Sequence, residues 1–183
     1  MGKLFSHHGF MGPGEIKAKR NYELKKCFRY AAREKIAFTP PERFPFNPLA
    51  IIRLATLSAN HSPSKQVETI DFIFNQVWGK GQVLEDPEKL DLLFSEHGLD
   101  VQIIEKSFAR EAKDELKENI RHALKIGLFG VPSFYFPNEN TPESSGDFFW
   151  GNDSFEDIRQ FLEGNDIWNK ELYNKVLSHN EIP

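Results

Sequence analysis

Val131-Pro132 stands directly behind a Gly-rich corner, G-L-F-G, and opens a short apolar run, S-F-Y-F. Proline has no N–H to give to a strand ladder, so such a run begins at the proline or lies on a sheet edge. No helix continues through this point. An X-Pro bond costs only about 0.5–1 kcal/mol to hold cis, so a packed corner can lock it that way. In the cis form the backbone N–H and C=O of Val131 turn outward, where a peptide-like ligand could pair with them as a strand would. A polar loop, a second run D-F-F-W, and then Gly151-Asn152-Asp153-Ser154 follow, the last opening another helix.

The residues upstream read as helices. Lys3–Phe5 is a candidate strand end, followed by a Gly/Pro loop from Gly9 to Gly14. Pro13 suits a helix start, and Ile16, Leu24, Cys27, Phe28, Ala31 and Ala32 keep a helical spacing to about Lys35. P-P-E-R-F-P-F-N forbids helix through Asn47. Asn47-Pro48 then reads as N-cap and first turn of a helix over Leu49–Ser58. Ser62 or Ser64 starts the next, with Val67, Ile70, Ile73, Phe74 and Val77 on one face. Asp86-Pro87 opens a fourth, closed by Gly98. A fifth stretch runs from Val101 to Ile126 with a break near Ala109. After the two strands, Val131–Phe136 and Asp147–Trp150, one helix carries Phe155, Ile158, Phe161 and Leu162, and a tail with Trp168, Leu172 and Val176 can add another.

Bulk properties narrow the function classes. The chain has 183 residues and a net charge of −4, which leaves no electrostatic footprint for nucleic acid. No apolar run reaches the roughly 20 residues of a membrane span. Seventeen Phe and three Trp are enough for a sizeable core. Cys27 is the single cysteine, so no internal disulfide and no C-x-x-C pair can form, which points to a reducing compartment, the cytoplasm. The order of elements, a long helical block followed by β-β-α, is what remains when a thioredoxin-like domain carries a helical insertion.

Four pieces of sequence give this order a family resemblance: G-x-x-x-P-G-x-I-x-A-K-R-x-Y (Gly9–Tyr22), P-P-x-R-F-P-F-N (Pro40–Asn47), G-L-F-G-V-P-S-F, and F-W-G-N-D. The chain resembles the 2-hydroxychromene-2-carboxylate isomerases and kappa-class glutathione transferases, DsbA-like enzymes of the thioredoxin fold. The resemblance implies an α/β, thioredoxin-like layer from residues 1–14 and 127–165, an inserted helical domain over 15–126, and a tail over 166–183. It implies glutathione as cofactor, with Val131 and Pro132 against its cysteinyl unit, Asn152 and Asp153 at its γ-glutamyl end, and Lys19 steadying an anion. Asn47 falls in the substrate-binding turn, and the substrate would be a small aromatic carboxylate. The family's loop asparagine is replaced by Phe10. Its catalytic serine lies on a first β-α unit that would precede Met1, and Ser6, His7 and His8 do not take its place. No catalytic residue is therefore assigned. Without that unit the Val131–Phe136 strand has an open edge, which a homodimer or an upstream segment would cover.

Each residue also has a plainer reading. Val131-Pro132 can be a structural turn. Asp153 with Glu156 three residues on fits a capping box. Lys19 lies among Lys17, Arg20, Lys25 and Lys26, as on a solvated face. Asn47 can be an N-cap alone, and Cys27 reads as a buried, inert thiol. His61, His97, His122 and His179 stand alone. Phe72, Phe74, Trp78, Phe94 and Phe108 read as core, with some able to line an aromatic cleft. The function expected from the resemblance is glutathione-dependent isomerisation. The alternatives are a non-catalytic binding module and a DsbA-like scaffold without redox activity.

Overall fold

The computed structural model describes residues 2–12, 14–60, 62–138 and 146–179. Pro13 and His61 lie outside them, so the expectations placed there have no structural counterpart. The chain divides into two compact units, Gly2–Lys125 and the segment from Ile126 onward.

The first unit is helical. It contains α1 (Gly2–His8), α2 (Lys17–Glu34), α3 (Leu49–Ser58), α4 (Pro63–Phe74), α5 (Pro87–Glu96), α6 (Gln102–Phe108) and α7 (Arg110–Lys125). Local chemistry sets most of these ends. Ser62 caps α4, its Oγ accepting from Lys65 N at 3.2 Å. Asp86 caps α5 through Glu88 N at 3.0 Å, and Gly98 leaves that helix with φ +67°. Ala109 turns to ψ 164° and separates α6 from α7, at the expected break. At α3 the cap residue is Pro48, one later than expected. Asn47 still supplies the bond, its Oδ1 accepting from Leu49 N at 3.1 Å.

Three expectations fail here. Lys3–Phe5 belongs to α1 rather than to a strand, and Leu4 is buried while α1 packs on α7. A three-residue stretch carries no period by which to tell the two apart. Val67 and Phe74 do not share the buried face of α4, which is Thr69 and Ile73 continued by Gln76 and Val77. The continuation is a π-helical turn, Asn75–Gly79, closed by Lys80 N to Asn75 O at 2.9 Å. Cys27 is exposed, and Ala31 is the one residue of α2 that is buried. The core instead lies among α3, α4, α5 and α6, with Leu54, Leu84, Leu90 and Phe94 fully enclosed. Phe72 meets Phe94 edge-on at 5.2 Å between ring centroids. Phe10, at the family's asparagine position, stacks on His8 and tilts against Phe5.

The second unit is a hairpin and two helices: β1 (Ser133–Phe136), β2 (Asp147–Trp150), α8 (Phe155–Leu162) and α9 (Lys170–His179). The strands pair antiparallel, Ser133 opposite Trp150 and Phe134 opposite Phe149. Alternation along the strands puts Phe134, Phe136 and Phe149 on one face. Phe155 and Phe161 of α8 pack there, with centroid separations of 5.2–5.4 Å, and Ile158 is buried. Phe129 meets Phe148 and Trp150, which share the other face. α9 has no buried residue.

Arg159 fastens the first turn of α8. Its guanidinium donates to Glu156 at 2.6 and 3.0 Å and to Glu163 at 2.8 and 2.9 Å. Those bonds, with a further one from Gln160, hold the Glu156 carboxyl down at about 2 against an ordinary 4.5. A depressed carboxyl contributes stability above its unfolded pKa and loses it as pH falls towards the folded one, here from about 4.5 to about 2. Arg159→Gln should therefore raise the Glu156 midpoint towards 4.5, read by NMR titration of its side-chain carboxyl. Stability at neutral pH should change little, because the pair is exposed and screened.

Candidate functional site

The candidate site is built from two turns. The first, Gly130-Val131-Pro132, enters β1, and the Val131-Pro132 bond is cis, as expected from the sequence. A second cis bond, Phe44-Pro45, lies in the helical unit and was not anticipated. The second turn, Gly151-Asn152-Asp153, leaves β2. The register that sets Ser133 opposite Trp150 sets Pro132 opposite Gly151. Residues in a hydrogen-bonded antiparallel pair normally exchange two bonds. Pro132 has no N–H, so a single bond forms, Gly151 N to Pro132 O at 3.0 Å. The carbonyl of Gly151 would have received the missing donor, and it accepts instead from Ser154 Oγ at 2.8 Å. Ser133 Oγ closes the other turn in the same way on Gly130 O, also at 2.8 Å.

These internal bonds leave a defined set of groups uncommitted. Neither the N–H nor the C=O of Val131 has a partner among the described residues, and the residue is half exposed. The Asp153 carboxylate likewise has none. It does not form the expected capping box. Ser154 takes the N-cap position without a side-chain cap bond, and Glu156 is held by Arg159 and Gln160. The mouth of α8 thus presents free N–H groups and the positive end of the helix dipole beside an acidic side chain. One edge can receive an extended peptide backbone, and the other can receive an amino acid's carboxylate and ammonium together.

Two glycines make the turns possible. Gly151 sits at φ +98°, and a Cβ there would come within 2.4 Å of Asp153 Oδ1. A Cβ on Gly130 would come within 2.4 Å of Trp150 Nε1, so the indole closes on bare backbone. This is the physical content of the Gly-x-Pro corner and the W-G pair.

The profile of the DsbA-like thioredoxin domain matches residues 3–163. The chain belongs to the DsbA-like thioredoxin-domain family. Its fold is also that of a solved 2-hydroxychromene-2-carboxylate isomerase, with a TM-score of 0.73 and 20% identity over 98% of this chain and 81% of that one. Among curated proteins, none matches the chain in sequence. The fold class expected from the sequence, a thioredoxin-like layer with a large helical insertion, is therefore the one observed. No helix among the described residues of this DsbA-like protein is long and apolar enough to cross a membrane.

Val131, Pro132, Asn152 and Asp153 thus come together in one unit. Lys19 and Asn47 belong to the other. Lys19 is exposed on α2 without a partner among the described residues. Asn47 is engaged by its cap bond and, through its own N–H, by Glu85. The helical unit has a cleft of about 720 Å³ whose lining includes Arg20, Cys27, Phe44, Phe74 and Trp78 but neither Lys19 nor Asn47. Sequence reading missed the cleft, although it noted that some of the large aromatics could line one. Phe74 and Trp78 do, Trp78 also packing on the core, whereas Phe72 and Phe108 pack on the core alone.

Backbone and side chain should separate cleanly in stability. Gly151→Ala forces a side chain into left-handed backbone and against Asp153, at a cost of about 1–3 kcal/mol. Asp153→Ala removes an exposed group with no described partner and should stay within about 0.5 kcal/mol of the parent. Urea unfolding of both variants checks the contrast.

Proposed function

We propose that the protein is a glutathione-dependent isomerase of the 2-hydroxychromene-2-carboxylate type, acting on a small aromatic carboxylate. The observation that carries this reading is the single bond from Gly151 to Pro132. One residue before Pro132 stands the free peptide edge of Val131, and two residues after Gly151 an uncommitted acid, Asp153, at a helix mouth. Glutathione is a short extended peptide with an amino-acid head. Its cysteinyl backbone would pair with Val131 N–H and C=O. Its γ-glutamyl carboxylate would meet the N–H groups at the start of α8, with Asn152 beside it, and its ammonium would meet Asp153. When bound, glutathione supplies a thiol able to add reversibly to a conjugated double bond. Lys19 and Asn47 are the residues we assign to the anionic and substrate ends, and a homodimer is the assembly we expect.

The fit rests on chemistry present in this chain. The two serines that could compete for the ligand are already turned inward onto Gly130 and Gly151. What stays outward is one donor, one acceptor and one carboxylate, complementary in order to a γ-glutamyl peptide. The fold shared with a solved isomerase of this type supports the same reading.

Thermal denaturation with glutathione is the test. At about ten times its dissociation constant a ligand adds about 1.4 kcal/mol, which for a chain of this length is a rise of roughly 3–5 °C. Asp153→Asn should remove most of that rise without lowering the unliganded midpoint. No rise at millimolar glutathione would end the reading. A rise without glutathione-dependent conversion of a hydroxychromene carboxylate would reduce it to a binding module.

A further inference from the structure

Helix α2 is held by one side only. Of its 18 residues Ala31 alone is buried. Phe28 meets Phe38 edge-on at 5.1 Å, and Arg20, Glu23, Leu24 and Cys27 line the cleft. Tyr22, Lys26, Arg29 and Arg33 follow one another at steps of four, three and four, which makes a second stripe on the opposite side of the helix, about 17 Å long. All four are exposed, Tyr22 to 62%. Lys26 and Arg29 have no partner among the described residues. Arg33 donates to Glu34 at 2.7 Å and lies 4.9 Å over the ring of Tyr30, at the edge of the stripe. No acid falls on it: Glu23 lines the cleft, and Glu34 stands about 100° around the helix from Arg33.

The charge of α2 is opposite in sign to that of the chain that carries it. The helix has seven Lys and Arg against two Glu, whereas the whole chain has a net charge of −4, which leaves −9 outside α2. Charges farther than about 10 Å from a contact are largely screened at 0.1 M salt. The stripe rather than the net charge therefore decides what docks on it, and its complement is a polyanion. The stripe is convex and straight, which suits a flat partner better than a single strand in need of a groove. Arg33 already covers a face of the Tyr30 ring, so that ring is a poor platform for a nucleic-acid base. A tyrosine with its polar tip, and cations on long apolar stems, are side chains that settle at the level of lipid headgroups.

We infer that the outer stripe of α2 docks the protein on the surface of an anionic phospholipid bilayer. Lys26, Arg29 and Arg33 face the lipid phosphates, and Tyr22 and Tyr30 reach into the headgroup layer. A helix that lies on a bilayer needs no membrane-spanning segment. The inference goes beyond the proposed isomerisation and does not rest on it, because the stripe faces away from the cleft and includes no residue of the Val131–Asp153 corner. Lys19 lies at the start of the stripe and is left intact in every variant of the test.

Flotation of the full chain with lipid vesicles, in glutathione-free buffer, is the test. Vesicles of phosphatidylglycerol and phosphatidylcholine in equal parts should carry the protein at about 0.1 M salt and release it at about 1 M, where the screening length falls to about 3 Å. Vesicles of phosphatidylcholine alone should not carry it. Arg29→Gln should lower the partition coefficient about fivefold, and the double reversal Lys26→Glu with Arg29→Glu should abolish binding. Lys106→Glu with Lys113→Glu, at exposed positions on α6 and α7, changes the net charge equally and should bind much as the parent does. Thermal midpoints of both double variants check that each is folded. Equal flotation with phosphatidylcholine alone, undiminished binding in Arg29→Gln, or equal loss in the two double variants would overturn the inference. Displacement from the vesicles by a single-stranded oligonucleotide at equal phosphate concentration would also overturn it, assigning the stripe to nucleic acid.

Discussion

One hydrogen bond, from Gly151 N to Pro132 O, organises the second unit. It is the last rung of a ladder that proline cuts short. Because Pro132 can accept but not donate, the rung is half made. The unmatched carbonyl of Gly151 is answered from within its own turn by Ser154. One residue back, Val131 falls at the alternate, non-hydrogen-bonded position, so its polar groups point away from β2. On the other strand Gly151, in left-handed backbone, turns the chain away from the sheet and into α8. A free peptide edge and a helix mouth end up side by side at the end of this short ladder.

The aromatic packing holds that arrangement in place. Phe134, Phe136 and Phe149 on one face of the hairpin meet Phe155 and Phe161, so α8 is fixed at its beginning and near its end. On the other face Trp150 lies over Gly130 with no room for a methyl group. A two-stranded sheet is marginal alone and gains its stability from the helix it packs against. Small displacements of α8 would alter both the free N–H groups at its start and the position of Asp153. The ion pairs of Arg159 oppose unwinding of that first turn, though at exposed positions they contribute less than the rings do.

The sequence made the corner legible because its chemistry is local. A proline without a donor, a glycine needing positive φ and a helix starting three residues beyond Asn152 can all be read within one window. The same holds for Ser62, Asp86 and Gly98 as helix ends. What failed was anything requiring a choice of face. Ile73 and Phe74 are equally apolar, yet one is buried and the other 61% exposed, because neighbours on a helix point about 100° apart and so belong to different stripes. One stripe, Ile73 and Val77, enters the core, and the other, Phe74 and Trp78, faces the cleft. Periodicity gives the stripes but not which of two apolar stripes meets the core. Cys27 was misread for a related reason: an apolar stripe on α2 implies a partner, but not whether that partner is a core or an open cavity.

Beside the cleft, one carboxylate outside its lining bridges two residues that flank Phe44. Glu85 receives the Asn47 N–H and the Arg43 guanidinium, at the two flanks of the Phe44-Pro45 bend. The backbone bond from Asn47 first, then the bond from Arg43, holds the Glu85 carboxyl below its ordinary value. The sign follows: the clamp contributes while Glu85 is ionised, above the unfolded carboxyl range, and fades as acid protonates it. Phe44 sits between the two clamped residues and is half exposed. Its place in the aromatic wall therefore rests on the ring contact with Trp78 at one end and on an ionised glutamate at the other. An exposed pair of this kind contributes little, so the ring contact with Trp78 is the larger part of what places Phe44 in the wall.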